Sequence, residues 1–214
     1  MHRVSTAMMS AEIPGVILAG GAARRMGGID KTGLDLGGRT MLEHVHERLR
    51  KQVSSIIINS NEAGNDHLKG FTVKADTVPG RAGPLAGVLT GLEWAADHGY
   101  DQIVTVAGDT PFFPENLVDR FVAATGAGGE CIALAATRDE SILRRHAVFG
   151  LWPVALRHDL QHAIKTGTRK VVAWADRHTV TNVEFIVTDI DPFFNVNSPE
   201  DLDSARRLLG RLPS

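Results

Sequence analysis

Gly15-Val-Ile-Leu-Ala-Gly-Gly-Ala-Ala-Arg-Arg-Met-Gly-Gly-Ile-Asp-Lys31 is the stretch on which the reading of this chain turns. The apolar run from Val16 to Ala19 predicts a buried strand. It empties into a loop holding Gly20, Gly21, Gly27 and Gly28 with Arg24, Arg25 and Lys31. Glycines let backbone N–H groups converge on an anion without Cβ obstruction, and the cationic side chains supply charge that backbone dipoles cannot. The composition is that of a phosphate cradle. It is not a Walker loop, which needs Gly directly before the Lys where this chain has Asp30, and no Gly-x-Gly-x-x-Gly fingerprint is present. The plain alternative is a flexible basic turn, but loops of this length usually serve a function.

Bulk properties narrow the classes. At 214 residues the chain suits one domain with a real core. Its formal charge, 23 minus 25, is −2, which argues against a nucleic-acid binder working through a broad basic surface. Cys131 is the single cysteine, so no intramolecular disulfide forms and a reducing compartment is expected. No apolar run approaches the ~20 residues that span a bilayer. Residues 1–12 are mixed and small, without the apolar core of a signal peptide, and read as a flexible tail ahead of one domain over 13–210. The expected location is the cytoplasm, with no membrane association.

Strand and helix patterns alternate along the chain. Thr40 and Glu43 form a capping box, and Met41, Leu42, Val45 and Leu49 mark the apolar face of a helix over 40–52. Ser55 to Asn59 is a β-branched run without alternation, as a parallel strand covered on both faces requires. A short strand over Phe71–Ala75 leads to Asp76. Pro79 to Gly87 is a second Gly-rich loop opening a helix through Leu85, Val88, Leu89 and Leu92, and its N-terminus favours anions. Gln102–Ala107 is the next strand and ends at Gly108-Asp109-Thr-Pro-Phe112. A helix over Glu115–Ala123, strands over Cys131–Ala136 and Ala147–Trp152, helices over Val154–Lys165 and Lys170–Arg177 and a last strand region starting at Phe185–Val187 follow. Ser198, Pro199 and Asp201 open the final helix as N-cap, N1 and N3. In open α/β sheets ligands collect beyond the carboxyl ends of the strands, and here those ends deliver Gly20, Asn59, Asp76 and Asp109 to one crevice.

A Gly-rich loop with Arg and Lys facing an acidic strand end suits a nucleoside triphosphate bound with Mg²⁺, because that ion prefers carboxylate and phosphate oxygens. Asp109 is the expected metal ligand. The plain alternative is a turn aspartate, since Asp-Thr-Pro also makes a good turn.

Leu18-Ala-Gly-Gly21, Arg25-Met-Gly27, Asp30-Lys31, Pro84-Leu-Ala-Gly87, Asp109-Thr-Pro-Phe112 and Asn195-Val-Asn-Ser-Pro-Glu-Asp201 together resemble the molybdenum cofactor guanylyltransferases, from residue 15 to about 208. The resemblance implies a single three-layer αβα, Rossmann-like nucleotidyltransferase domain with a mostly parallel sheet. It implies transfer of GMP from GTP to the terminal phosphate of molybdopterin, with Mg²⁺ (or Mn²⁺) as cofactor and pyrophosphate as the second product. Leu18, Ala19, Gly20 and Gly21 match the nucleotide-contacting backbone, Lys31 the triphosphate-contacting lysine, and Asn59, Asp76 and Asp109 further GTP-binding positions. Arg25 and Gly28 match residues that close over the phosphates or face the acceptor. Asn195 and Asn197 orient the acceptor phosphate or complete the metal shell, against a plain capping role for which Ser198 already suffices. Which residue reads the guanine and which the ribose stays open. By the same resemblance the cofactor passes from a molybdenum insertase and on to molybdoenzyme chaperones or apo-enzymes.

Other features carry less. His158 and His162 share a helical face at a zinc-compatible spacing, but no third ligand is evident and a solvated face is the expectation. His44 and His46 point different ways on their helix. Cys131 reads as inert core. Arg144, Arg145 and His146 with Arg169 and Lys170 are candidates to receive an anionic pterin phosphate, against ordinary surface charge; Ala147 departs from the family pattern beside them. Two other classes stay open: a CTP-dependent molybdopterin or sugar-phosphate nucleotidyltransferase, and a non-catalytic nucleotide or cofactor-delivery protein on the same fold.

Overall fold

The computed structural model describes residues 12–20, 30–62, 64–79, 83–126, 130–188 and 190–211. The tail expected over residues 1–12 lies outside them except for Glu12. In chain order the elements are β1 (Gly15–Leu18), α1 (Met41–Leu49), β2 (Ile56–Asn59), β3 (Val73–Lys74), α2 (Pro84–Asp97), β4 (Gln102–Ala107), α3 (Leu117–Thr125), β5 (Ile132–Asp139), β6 (Ile142–Pro153), α4 (Arg157–Lys165), α5 (Val171–Ala175), β7 (Val180–Phe185) and α6 (Pro199–Leu209). Short 3-10 turns stand at Lys31–Gly33, Asp66–Leu68 and Val154–Leu156.

Among the described residues the strands form one sheet in the order β3-β2-β1-β4-β6-β5-β7. β3, β2, β1 and β4 are mutually parallel, β6 runs antiparallel to both β4 and β5, and β7 is parallel to β5. Continuous apolar strands are what a sheet covered on both faces needs, and successive residues of β1 and β2 face opposite cores. Ile17 and Ile58 pack with Leu42, Val45 and Leu49 of α1 and Val118 and Phe121 of α3. Val16 and Ile57 pack on the other side with Leu85, Val88 and Leu92 of α2, Leu160 of α4 and Trp174 of α5. The expected αβα layering therefore holds. A smaller cluster of Leu36, Met41, Phe112, Val196, Leu202 and Ala205 fastens α6 to the segment after Lys31.

Caps behave as their sequences require. Thr40 Oγ1 accepts from the Glu43 N–H and the Glu43 carboxylate accepts from the Thr40 N–H; Ser198 and Asp201 repeat the pattern at α6. Boundaries differ most in the second half of the chain. β6 begins at Ile142 rather than Ala147: Ile142 to His146 pair with Ala135 to Asp139 in a hairpin, and the charged Arg144 and Arg145 in that run hid the strand. The last strand is Val180–Phe185, so Phe185 closes it rather than opening it. It is an edge strand in which Val183 and Phe185 are buried, Glu184 between them is exposed and Thr181 and Asn182 are half-buried, and this polar content hid it. Cys131 stands just before β5 and is half-buried, its Sγ lying 3.3 Å from Thr181 Oγ1, so it is not a core residue.

β6 also carries a bulge. Leu134 pairs with Gly150 and Ala135 with His146, so Ala147, Val148 and Phe149 have no β5 partner. The bulge is pinned from β4. Thr105 Oγ1, itself fully buried, donates to the Val148 carbonyl at 2.6 Å and accepts from the buried Trp152 Nε1 at 2.8 Å.

Candidate functional site

Because β3, β2, β1 and β4 are parallel and in register, their carboxyl ends share one edge of the sheet. Leu18 pairs with Asn59 on one side and with Ala107 on the other, and Asn59 pairs with Lys74. A cavity of about 250 Å³ opens along that edge, lined by Leu18, Ala19, Gly20, Lys31, Asn59, Asp109 and Asn195, together with Asp30, Thr32, Pro84, Ala107 and Val148. The sequence brings most of its candidate residues to this one place. Gly21, Arg25 and Gly28 lie outside the described residues.

One end of the cavity is organised by amides. Asn59 is buried, and its Nδ2 donates to Asp76 Oδ1 at 2.9 Å and to the Lys74 carbonyl at 3.3 Å. Asn61 Nδ2 donates to Asp76 Oδ2 at 2.9 Å, and Asn61 Oδ1 accepts from the Asp76 N–H. Asp76 is therefore held by two amide side chains, with lone pairs on both oxygens to spare. The first turn of α2 lies so close that a Cβ on Gly87 would sit 2.3 Å from Asn59 Oδ1 and 2.6 Å from Leu18 Cδ2. Only glycine allows this approach, which brings the N-terminus of α2 and its positive dipole end against the strand ends.

Charge gathers at the other end. Lys31 Nζ donates to Asn197 Oδ1 at 2.7 Å and stands 3.9 Å from Asp109 Oδ2. Burial pushes the Asp109 carboxyl above the ordinary aspartate range, opposed by the Lys31 ammonium and by hydrogen bonding from Thr110 and Asn195. The Asn195–Asn197 segment is placed by the main chain, since the Val196 N–H donates to the Asp109 carbonyl at 2.9 Å. Asp201 Oδ2 accepts the N–H groups of Asn197 and Ser198, both at 2.9 Å, and these bonds hold its carboxyl below the usual range. Ser198 and Asp201 do the capping of α6, which leaves the Asn195 side chain for the cavity and that of Asn197 for Lys31.

Among the described residues no group of three or more His, Cys, Asp or Glu side chains could hold a metal ion. Asp109, a part-buried carboxylate beside the Asn195 and Asn197 amides, offers hard oxygen donors on one side only. That fits an ion such as Mg²⁺, which takes few protein ligands and completes its shell with phosphate oxygens and water.

Sequence reasoning missed several neighbours. Asp30 and Thr32 line the cavity, and Asp30 is engaged by Thr32, Asn65 and His67. Its partners at 65 and 67 are separated from it by more than thirty positions, which leaves no local pattern. Val148 arrives through the bulge, and only its place in an apolar run hinted at burial. The basic candidates do not form one patch. Arg145 pairs with Asp176 at 2.5 Å, and the Arg169 guanidinium caps carbonyls of Ile164 and Thr168. His146 stacks on Phe193 with centroids 4.2 Å apart and lies 2.8 Å from Thr137 Oγ1; burial pushes it down to about 4. Arg144 and Lys170 are exposed. His158 and His162 are exposed on α4, while Asp159 between them accepts from Trp174 Nε1, Arg177 and His178.

Comparison with known proteins gives this geometry a context. A family described as the MobA-like NTP transferase domain matches residues 15–180. The molybdenum cofactor guanylyltransferase of Bradyrhizobium sp. (strain ORS 278) is 45% identical over 207 residues, covering 95% of this chain and 96% of that protein. The molybdenum cofactor guanylyltransferase of Mesorhizobium japonicum is 43% identical over 212 residues, covering 96% of this chain and all of the relative. Among solved structures, molybdopterin-guanine dinucleotide biosynthesis protein A from Archaeoglobus fulgidus superposes with a TM-score of 0.69 at 21% identity, covering 94% of this chain and 100% of that one. The 4-diphosphocytidyl-2C-methyl-D-erythritol synthase of Anaerococcus prevotii gives 0.71 at 16% identity over 97% and 100% of the two chains. These two structures share the fold.

Proposed function

The chain belongs to the MobA-like NTP transferases and is a molybdenum cofactor guanylyltransferase, and we propose that it carries out the transfer with GTP laid along the ends of β3, β2, β1 and β4. Its substrates are GTP and molybdopterin, and its reaction joins GMP to the terminal phosphate of molybdopterin with release of pyrophosphate. Residues 13–210 act as one domain in this reading.

The observation that carries the site assignment is the convergence of Lys31, Asp109 and Asn195 on one end of a cavity, with Asn197 holding the Lys31 ammonium from behind, and of Asn59 on the other, backed by Asp76. The guanine belongs at the Asp76 end. A carboxylate accepts from guanine N1–H and N2–H₂, a donor pair that adenine lacks. Asn59, buried and with its N–H groups already spent on Asp76 and Lys74, orients that carboxylate. Leu18, Ala19 and Gly20 present main chain to the nucleotide, and Gly21, Gly28 and Arg25 are assigned by resemblance to the loop around the phosphates.

Lys31 binds the triphosphate and neutralises charge that grows on departing pyrophosphate; Asn197 fixes where its ammonium points. Asp109 would hold Mg²⁺, with Asn195 beside it, and the ion when bound supplies charge neutralisation at the phosphates. The acceptor needs no dedicated base, because a phosphate monoester with a second pKa of about 6 is largely ionised near pH 7. Catalysis is mainly in-line positioning and electrostatics. Because molybdopterin is labile, hand-over from a molybdenum insertase and on to molybdoenzyme chaperones or apo-enzymes, in the cytoplasm, completes the proposal. Among the described residues no helix is long and apolar enough to cross a membrane.

Pyrophosphate release with GTP, CTP, ATP and UTP, Mg²⁺ and molybdopterin tests this on wild type and on Asp109→Ala. Release with GTP alone, lowered by about 10³ in the variant, is expected. Release with CTP instead would move the chain to a cytidylyl-transferring branch, and full activity in the variant would remove Asp109 from the site.

A further inference from the structure

Lys31 does not hold its own position. The residue before it, Asp30, is the N-cap of the 3-10 turn Lys31–Gly33, and its carboxylate collects four donors. Oδ1 accepts from the Thr32 N–H at 3.0 Å and from Thr32 Oγ1 at 2.7 Å. Oδ2 accepts from Asn65 Nδ2 at 3.0 Å and from His67 Nε2 at 3.1 Å. The direction of the His67 bonds follows from chemistry. An ionised carboxylate only accepts, and the single Thr32 hydroxyl hydrogen is committed to Asp30, so His67 Nε2 carries a hydrogen shared between Asp30 Oδ2 and Thr32 Oγ1, 2.9 Å away. The imidazole also lies against the turn, where a Cβ on Gly33 would meet His67 Nδ1 at 2.8 Å. Asn65 and His67 both come from the β2–β3 connection, which also carries Asn61, the partner of Asp76.

We propose that His67 is a positioning residue of the transfer reaction: by clamping Asp30 it fixes the turn that presents Lys31 to the triphosphate. The clamp has a second consequence. A free carboxylate on the cavity wall next to Lys31 would compete for the ammonium and repel the phosphates. Tied to Thr32, Asn65 and His67, Asp30 leaves Lys31 to Asn197 and Asp109. The inference rests on the assignment of Lys31 to the triphosphate of GTP.

The test is a double-mutant cycle in the full chain with His67→Leu and Lys31→Met, reading both GTP binding by calorimetry and pyrophosphate release. His67→Leu is expected to lower kcat/KM for GTP about tenfold with the KM for molybdopterin unchanged, and to cost less than about twofold in GTP affinity once Lys31 is Met. His67→Gln, whose amide N–H reaches the place of Nε2, is expected to recover most of the loss. A merely structural histidine would give the same loss in both backgrounds, and that result, or no loss at all, overturns the proposal. Should His67→Leu fail to fold, Asn65→Ala, which removes another donor to Asp30 from the same connection, takes its place in the cycle. A wild type that binds GTP but releases no pyrophosphate would overturn the transfer reading instead, and the coupling of His67 to Lys31 would still be measured in binding.

Discussion

β3, β2, β1 and β4 run parallel and end together, whereas β6 runs against β4 and bulges with three residues unpaired to β5 just past Thr105. The two halves of the sheet meet at one crevice, but they furnish it differently. In the parallel half a residue enters the site by ending a strand, as Asn59 does, or by standing one or two positions beyond one, as Ala19, Gly20, Asp76 and Asp109 do. In the other half a residue enters by a local departure from the ladder, as Val148 does through the bulge, or by the chain's return from β7, as Asn195 and Asn197 do. In the first arrangement the sheet itself sets the positions. The second depends on particular buried contacts.

The sharpest way to break the parallel half is to remove its closest approach. Gly87→Ala puts a methyl group 2.3 Å from Asn59 Oδ1, so either α2 or the Asn59 amide must move. A displacement of this size at a substrate-positioning group is worth about a hundredfold in kcat/KM for GTP, with the KM for molybdopterin little changed. Steady-state kinetics with each substrate varied in turn checks it, and equal losses for both substrates would deny that Gly87 acts through the nucleotide site. Within the same half, Asp76→Asn is expected to weaken GTP binding about tenfold and inosine triphosphate, which lacks the N2 amino group, by less. Equal weakening of both would move Asp76 from the base to the ribose.

The other half breaks at Thr105. Thr105→Val keeps the shape but strips the donor from the Val148 carbonyl and the acceptor from Trp152 Nε1 in a fully buried place. The cost is about 1–3 kcal/mol, or roughly 5 °C in Tm. Released from its pin, the bulge is expected to raise the KM for molybdopterin several-fold while GTP binding stays within twofold. Calorimetry and the same kinetic assays read both. If GTP binding falls instead, Val148 belongs to the nucleotide side.

This contrast also explains what the sequence disclosed. Ser55 to Asn59 and Gln102 to Ala107 are covered on both faces, so an unbroken apolar run was enough to place them, and the polar residue that ends each run was a site candidate by position alone. Capping chemistry is local, and Thr40 with Glu43 and Ser198 with Asp201 were readable for that reason. β7 was not, since this edge strand mixes Thr181, Asn182 and Glu184 with its two buried residues. Nor was the start of β6, whose Arg144, Arg145 and His146 looked like a surface basic cluster although His146 stacks on Phe193 and Arg145 pairs with Asp176. The neighbours of Asp30 were invisible because His67 and Asn65 meet it only through the fold.

The two halves also answer acid with opposite signs. His146, in the β6 half, is held neutral by burial, with Arg144 lowering and Asp191 raising its affinity for a proton. Its folded value of about 4 lies below the 6.5 of a free histidine, so the unfolded chain takes up the proton first. Its contribution is present in full above pH 6.5 and is lost as the pH falls from there to about 4. His146→Phe keeps a ring against Phe193 and is expected to flatten this part of the Tm profile, by about 1 kcal/mol or roughly 2–4 °C across that window. An unchanged acid slope would place the sensitive group elsewhere.

Asp109, at the end of β4, carries the opposite sign. Its carboxyl is raised by burial, so the folded chain holds the proton more tightly than the unfolded chain does. Protonated, it stabilises the fold relative to the charged form; that contribution is complete below the ordinary aspartate range and is lost as the pH rises through the folded value. Above that value the metal-free and nucleotide-free protein keeps a carboxylate charged in a place that disfavours it, with Lys31 3.9 Å away as partial compensation. Asp109→Asn removes the charge while Lys31 retains Asn197. We expect the variant to melt roughly 2–4 °C higher at pH 7, as groups kept for function rather than stability commonly do, and the gain to shrink toward zero near pH 4. Melting curves of both proteins in chelator across that range decide it. A variant that melts lower at pH 7 would mean that the Lys31 pair outweighs burial, and that the parallel half keeps Asp109 for its fold as well as for its chemistry.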